Sequence, residues 1–139
     1  MSSQATTLSF DAVRRLPWAA KLNAAGLVMA AAGMFVQIAA GSTLYPTITG
    51  PVVLIAAAIV VLFGPARAAP WVGLAVPLVL GVGAIVAAMM TGDFIDQLTG
   101  FDRPGLVVGS LMHAIGLIVA IAVGFVMVLN RREAARRGR

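Results

Sequence analysis

Cysteine is absent from the 139 residues, and histidine and lysine occur once each. Without cysteine there are no disulfides, thiolate nucleophiles or cysteine metal sites, and the redox compartment leaves no mark on the chain. Charge is scarce as well, at 11% of the residues against a soluble norm of about 25%. No Ser-His-Asp set, zinc pair, carboxylate dyad or glycine-rich phosphate loop can be assembled from what remains. The sequence therefore predicts no enzyme acting alone, no cofactor and no metal site.

Hydrophobic residues make up 60% of the chain, and its mean hydropathy is +0.99. They collect in four long runs, which predicts an all-α membrane protein, a single membrane domain over residues 1–139 built as a four-transmembrane-helix bundle. The spans are expected at about 18–40, 46–63, 70–91 and 104–129. The first run is too long for the apolar region of a signal peptide and reads as an uncleaved anchor. Residues 1–16 form an interfacial N-terminal segment with a short helix over Leu8 to Leu16, and residues 130–139 a basic tail. A second short interfacial helix is expected in the last outer loop, where Asp93 and Asp96 stand in capping positions and Gly100 ends it.

The net charge of +5 is sorted along the chain in the way that topology demands. Arg14, Arg15 and Lys21 precede the first run, Arg67 separates the second from the third, and Arg131, Arg132, Arg136, Arg137 and Arg139 follow the fourth. With four spans these segments share one side, which marks it as cytoplasmic and places both termini inside. Alanine- and arginine-rich usage suits a bacterial cytoplasmic (inner) membrane. Arg14, Arg15, Lys21, Arg131 and Arg132 are read as contacts to lipid head groups, and nucleic acid is not an expected partner.

Three runs carry faces of small residues. In the fourth, Gly105, Gly109, His113, Gly116, Ala120 and Gly124 fall within about 100° of arc. In the first, Asn23, Gly26, Ala30, Gly33, Gln37 and Ala40 do the same, and Gly73, Pro77, Gly81, Ala84 and Ala88 form a third face. Such faces let backbones approach closely, so Gly26, Ala30, Gly33, Gly73, Gly81, Gly105, Gly109, Gly116, Ala120 and Gly124 are assigned to helix packing. Antiparallel pairing of the first and fourth spans sets His113 level with Gly33, and Gln37 opposite Gly109. The second span, rich in branched residues and with a possible kink at Gly50-Pro51, is expected to be the most lipid-exposed. Pro77 is expected to bend the third.

His113, Gln37 and Asn23 are the candidate substrate or relay residues. His113 can be a proton relay or a substrate contact, or simply an interhelical hydrogen-bond donor worth about 0.6–2 kcal/mol. A haem ligand would need an axial partner such as Met112, Met34 or a second His113. Asp93, Asp96 and Asp102 could meet a cation outside but lack regular ligand spacing. Three small faces exceed what a monomeric bundle needs to close, which points to other integral membrane subunits or to self-association. The function expected is a non-catalytic accessory or assembly subunit of a larger membrane complex, a transporter or respiratory enzyme. The alternative is a small homo-oligomeric transporter or channel with His113 and Gln37 lining its path.

Overall fold

The computed structural model describes residues 16–42, 48–91 and 103–137. Within them the chain is all helical: α1 (Trp18–Ala39), α2 (Thr49–Phe63), α3 (Ala69–Thr91) and α4 (Pro104–Arg137). Three of these are long and apolar enough to cross a membrane, and Thr49–Phe63 is a shorter apolar helix. The interfacial helices expected over 8–16 and 93–100 fall outside the described residues, apart from Leu16, which packs partly buried on the core. Arg14, Arg15, Asp93, Asp96 and Asp102 also lie outside.

Local chemistry sets the helix limits. Pro17 holds an extended backbone (ψ 142°), and its carbonyl accepts the Ala20 N–H at 3.0 Å to open α1. At the far end Gly41 takes φ +81°, a left-handed turn that glycine adopts without a Cβ penalty. Its N–H bonds the Ile38 carbonyl at 3.0 Å, and Ser42 N–H bonds Gln37 at 2.9 Å. This is the paired closure of a Schellman motif, which satisfies the orphan carbonyls.

The Gly50-Pro51 pair, where a kink is expected, lies at the very start of the described helix. Pro51 falls in the first turn of α2, where its missing N–H would have had no helical partner in any case. Gly50 instead makes room for the Met34 methyl, which contacts it directly. Gly64 ends α2 in an extended conformation, and the Pro65 carbonyl accepts Ala68 N–H at 2.8 Å to turn the chain into α3. The fourth helix does not stop at residue 129. It runs unbroken through the basic segment to Arg137, 34 residues in all, or about 51 Å at 1.5 Å per residue.

Each helix packs on its sequence neighbours, and α1 packing on α4 closes the ring with only a light diagonal contact between α1 and α3. The fourth helix runs antiparallel to α1 (Gly109 at Gly33, Gly116 at Gly26) and to α3 (Leu117 at Gly81, Gly124 at Gly73), so α1 and α3 are parallel. The core is small-residue rich: Ala24, Leu27, Ala30, Ala31, Met34, Leu54, Ala57, Ala58 and Ala120 are buried together. The outside is just as apolar, with Val52, Ile59, Val79, Val82, Ile85, Met89, Met90, Ile115, Ile118 and Phe125 all exposed. A large continuous apolar exterior is the mark of a surface that meets lipid.

The second helix is not the most exposed one. Five of its 15 residues (Pro51, Leu54, Ala57, Ala58, Val61) are buried. In α3 only 17% of the apolar window is buried, against 50% in α1 and 39% in α4. The branched residues of α2 do face outward. Its other side, with alanines at 57 and 58, fits closely against α1, whereas α3 beyond Pro77 buries little besides Ala88.

Candidate functional site

Between α1 and α4 the antiparallel helices meet backbone to backbone. A Cβ on Gly33 would stand 2.6 Å from the Gly109 carbonyl oxygen, and a Cβ on Gly109 would stand 2.8 Å from that of Gly33. Gly26 and Gly116 repeat the arrangement at 2.9 and 2.6 Å. The two reciprocal pairs are seven residues apart on each helix, about 10.5 Å of rise. At each, a glycine Cα rather than a side chain faces a carbonyl, the geometry of Cα–H···O contacts at membrane helix interfaces.

His113 sits between these two approaches. It is 6% exposed, and its backbone N would be only 2.5 Å from a Cβ at position 33. Its Nδ1 is 3.1 Å from the Ala30 carbonyl. A carbonyl can only accept, so Nδ1 carries the proton and donates, which fixes the tautomer. Gln37 is buried one turn above, and its Cγ would meet a Cβ on Gly109 at 2.7 Å. The structure thus brings His113 and Gln37 to the same seam, each against a glycine of the other helix.

Asn23, wholly buried, occupies the other end of that seam and joins three helices. Its Nδ2 donates to the Gly73 carbonyl of α3 at 3.0 Å and to the Ala120 carbonyl of α4 at 2.6 Å. Both acceptors are carbonyls, so the opposite amide orientation would set oxygen against oxygen. The Oδ1 has no hydrogen-bond partner among the described residues and lies against Gly73, where a Cβ would be 2.6 Å away.

The reason Gly73 needs an outside donor is four residues further on. Pro77 lies inside α3 and has no N–H to return to the carbonyl at i−4, which is Gly73. In a membrane interior, a side chain of a neighbouring helix can supply the replacement. Asn23 does so, and Gly124 of α4 closes over the same carbonyl, 2.7 Å from where its Cβ would stand. This linkage escaped the sequence analysis, which read Pro77 only as a bend. The i−4 spacing between Gly73 and Pro77 was the available signal.

The remaining small residues are used inside the chain too. Gly26, Ala30, Gly33, Gly109, Gly116 and Ala120 make the α1–α4 seam, Gly73 and Gly124 join α3 to α4, and a Cβ on Gly105 would stand 3.0 Å from the Ala40 Cβ. At Gly81 there is room: a Cβ would make only ordinary contact with Leu117 Cδ1, at 3.6 Å. Most of the small residues of α1 and α4 are thus used within the monomer, because these two helices meet backbone to backbone over several turns.

At the end where α4 leaves the bundle, Arg131 Nη1 donates to the Arg67 carbonyl, and the Arg132 guanidinium lies 5.8 Å from the centre of the Trp71 ring. Lys21 is half-buried in the first turns of α1 at the same end. Among the described residues no group of three metal-ligating side chains comes together, and Glu133 is the one carboxylate. In the interior, Asn23 and His113 are both engaged with backbone carbonyls of other helices. No family model matches the chain, nor does any curated protein or solved structure.

Proposed function

We propose that the chain is a non-catalytic accessory or assembly subunit of a larger bacterial membrane complex. The observation that carries this reading is the closed α1–α4 seam. A Cβ on Gly33 or Gly116 would fall 2.5 Å from a backbone nitrogen of the facing helix, so the two backbones touch there and no file of water or substrate fits between these helices. The polar groups in the seam serve to hold it shut. A transport path lined by His113 and Gln37 would require α1 and α4 to separate along their tightest contact.

A partner surface, on this reading, comes from α3 rather than from the small faces. Beyond Pro77 the helix leaves Val79, Val82, Gly83, Val86 and Met90 exposed, and a Cβ on Gly83 would meet nothing within 4 Å. Four crossings with both termini cytoplasmic complete the proposal. Its support is the placement of Lys21, Arg67 and the bases of α4 at one end of the bundle.

Mild detergent extraction of a tagged native copy, followed by identification of what co-purifies near stoichiometry, tests the proposal. A larger complex is the expected result, and exposed-face variants such as Gly83→Leu or Val86→Arg should release it while leaving the bundle folded. A chain that emerges alone, or only with copies of itself, overturns the reading in favour of transport, to be assayed with His113→Ala.

A further inference from the structure

The end of the bundle where α4 leaves is the most charged part of the described chain. It gathers Lys21, Arg67, Arg131, Arg132, Arg136 and Arg137 against the single acid Glu133. Trp18 and Trp71 are exposed at the same end, where indoles mark the head-group level of a bilayer. The arginines have different engagements. Arg131 is committed inward, donating to the Arg67 carbonyl and tying α4 to the turn before α3. Arg132 rests on the Trp71 ring, a cation–π position that occupies the face of the guanidinium and leaves the N–H donors in its plane.

One face of α4 makes the ligand class specific. At 100° per residue, Phe125, Leu129, Arg132 and Arg136 fall within about 60° of one another. Phe125 and Leu129 are exposed apolar residues, and Arg132 and Arg136 follow them as exposed bases. The face changes from apolar to basic within two turns, beside an interfacial tryptophan. A nucleic acid or a free anion would meet only the basic half. An amphiphile with an anionic head meets both.

The geometry points to a binding site for an anionic phospholipid of the surrounding bilayer. Its acyl chain lies along Phe125 and Leu129, and its phosphate is held by the guanidinium groups of Arg132 and Arg136, whose planar forks match phosphate oxygens. Arg131, also read from the sequence as a head-group contact, has its Nη1 committed to the Arg67 carbonyl and is the structural member of the cluster, contributing less to head-group selection than Arg132 and Arg136. The site rests on the membrane reading of the fold and is independent of any partner subunit.

The test titrates the full-length protein in mild detergent with phosphatidylglycerol and phosphatidylcholine of matched chains, and native mass spectrometry counts the lipid retained. Each basic residue near an anionic surface is worth about a fivefold preference, so the wild type should favour phosphatidylglycerol by roughly five- to 25-fold. The preference should shrink as the Debye length falls from about 10 Å at 0.1 M salt to about 3 Å at 1 M. Arg132→Gln with Arg136→Gln should bring the ratio close to one. Arg131→Gln should lower the melting temperature and keep most of the ratio. Should the double variant fail to fold, Arg136→Gln alone, at an exposed position, should still lose about fivefold. Equal retention of the two lipids by the wild type, or an undiminished preference in the variants, overturns the assignment. Displacement of the lipid by millimolar inorganic phosphate also overturns it, by showing a site for free anions.

Discussion

At position 33 a single methyl group decides whether α1 and α4 can meet. The Cβ of an alanine there would lie 2.5 Å from His113 N and 2.6 Å from Gly109 O. Both are backbone atoms, so neither can rotate away as a flexible side chain would. Gly33→Ala should therefore force the helices apart and destabilise the bundle by about 1–3 kcal/mol, the usual scale of overpacking, and Gly33→Leu by more. Gly81→Ala is the matched control, since its nearest neighbour is the Leu117 Cδ1 at 3.6 Å. There alanine's better helix propensity should leave stability equal or slightly higher. Thermal melting in one mild detergent compares the two, and equal losses at both positions would refute the close-seam account. The pairing of His113 with Gly33 and of Gln37 with Gly109 was readable from helical periodicity alone, because a long side chain needs a vacancy opposite. That His113 bonds the Ala30 carbonyl was not readable, because every backbone carbonyl along α1 looks alike in a sequence.

Within α3, the proline, the freed carbonyl and the asparagine that answers it form one energetic unit. Replacing Asn23 with alanine removes donors to Gly73 and Ala120 and leaves the Gly73 carbonyl without its replacement for the N–H that Pro77 lacks. Polar interactions between membrane helices are worth about 0.6–2 kcal/mol each. Pro77→Ala restores an N–H at the position that normally serves Gly73, so Asn23→Ala should cost less in that background. A double-mutant cycle on melting or unfolding free energies reads the coupling directly, with about 0.5 kcal/mol or more expected for residues that share a partner. Strict additivity would mean that Asn23 packs without capping the proline's carbonyl. The limits of α1 and α4 near Trp18 and Pro104, and the turn at Gly64-Pro65, could be seen in advance, since proline and glycine punctuate chains for stereochemical reasons. The relative exposure of α2 and α3 could not. Both runs are apolar on every side, and only tertiary contact shows which alanines are covered.

Across the whole molecule, the parallel course of α1 and α3 constrains the shortest helix. Both helices begin at the end where Arg131 reaches the Arg67 carbonyl, so the chain must return through the full depth of the bundle in between. The helix that does so, Thr49–Phe63, has 15 residues and spans about 22 Å, short of the ~30 Å hydrocarbon core. If α1 and α3 cross the membrane, α2 must cross it as well, with the bilayer thinned locally or with adjoining residues shielded by protein. The absence of native cysteine makes this directly measurable. Single substitutions Thr43→Cys and Gln97→Cys should react with a membrane-impermeant maleimide added to intact cells. Ala66→Cys, in the turn after α2, and Ala134→Cys, beyond the apolar part of α4, should react only after permeabilisation. Opposite labelling of all four would keep four crossings and place both termini outside, against the loop-charge argument. Labelling of positions 43 and 66 from the same side would show that α2 does not cross, and would require α1 and α3 to be antiparallel in the membrane. That arrangement is incompatible with the Asn23–Gly73 bond and the Gly73–Gly124 contact holding together in one bundle, so the four labelling reactions test the topology and the three-helix junction at once.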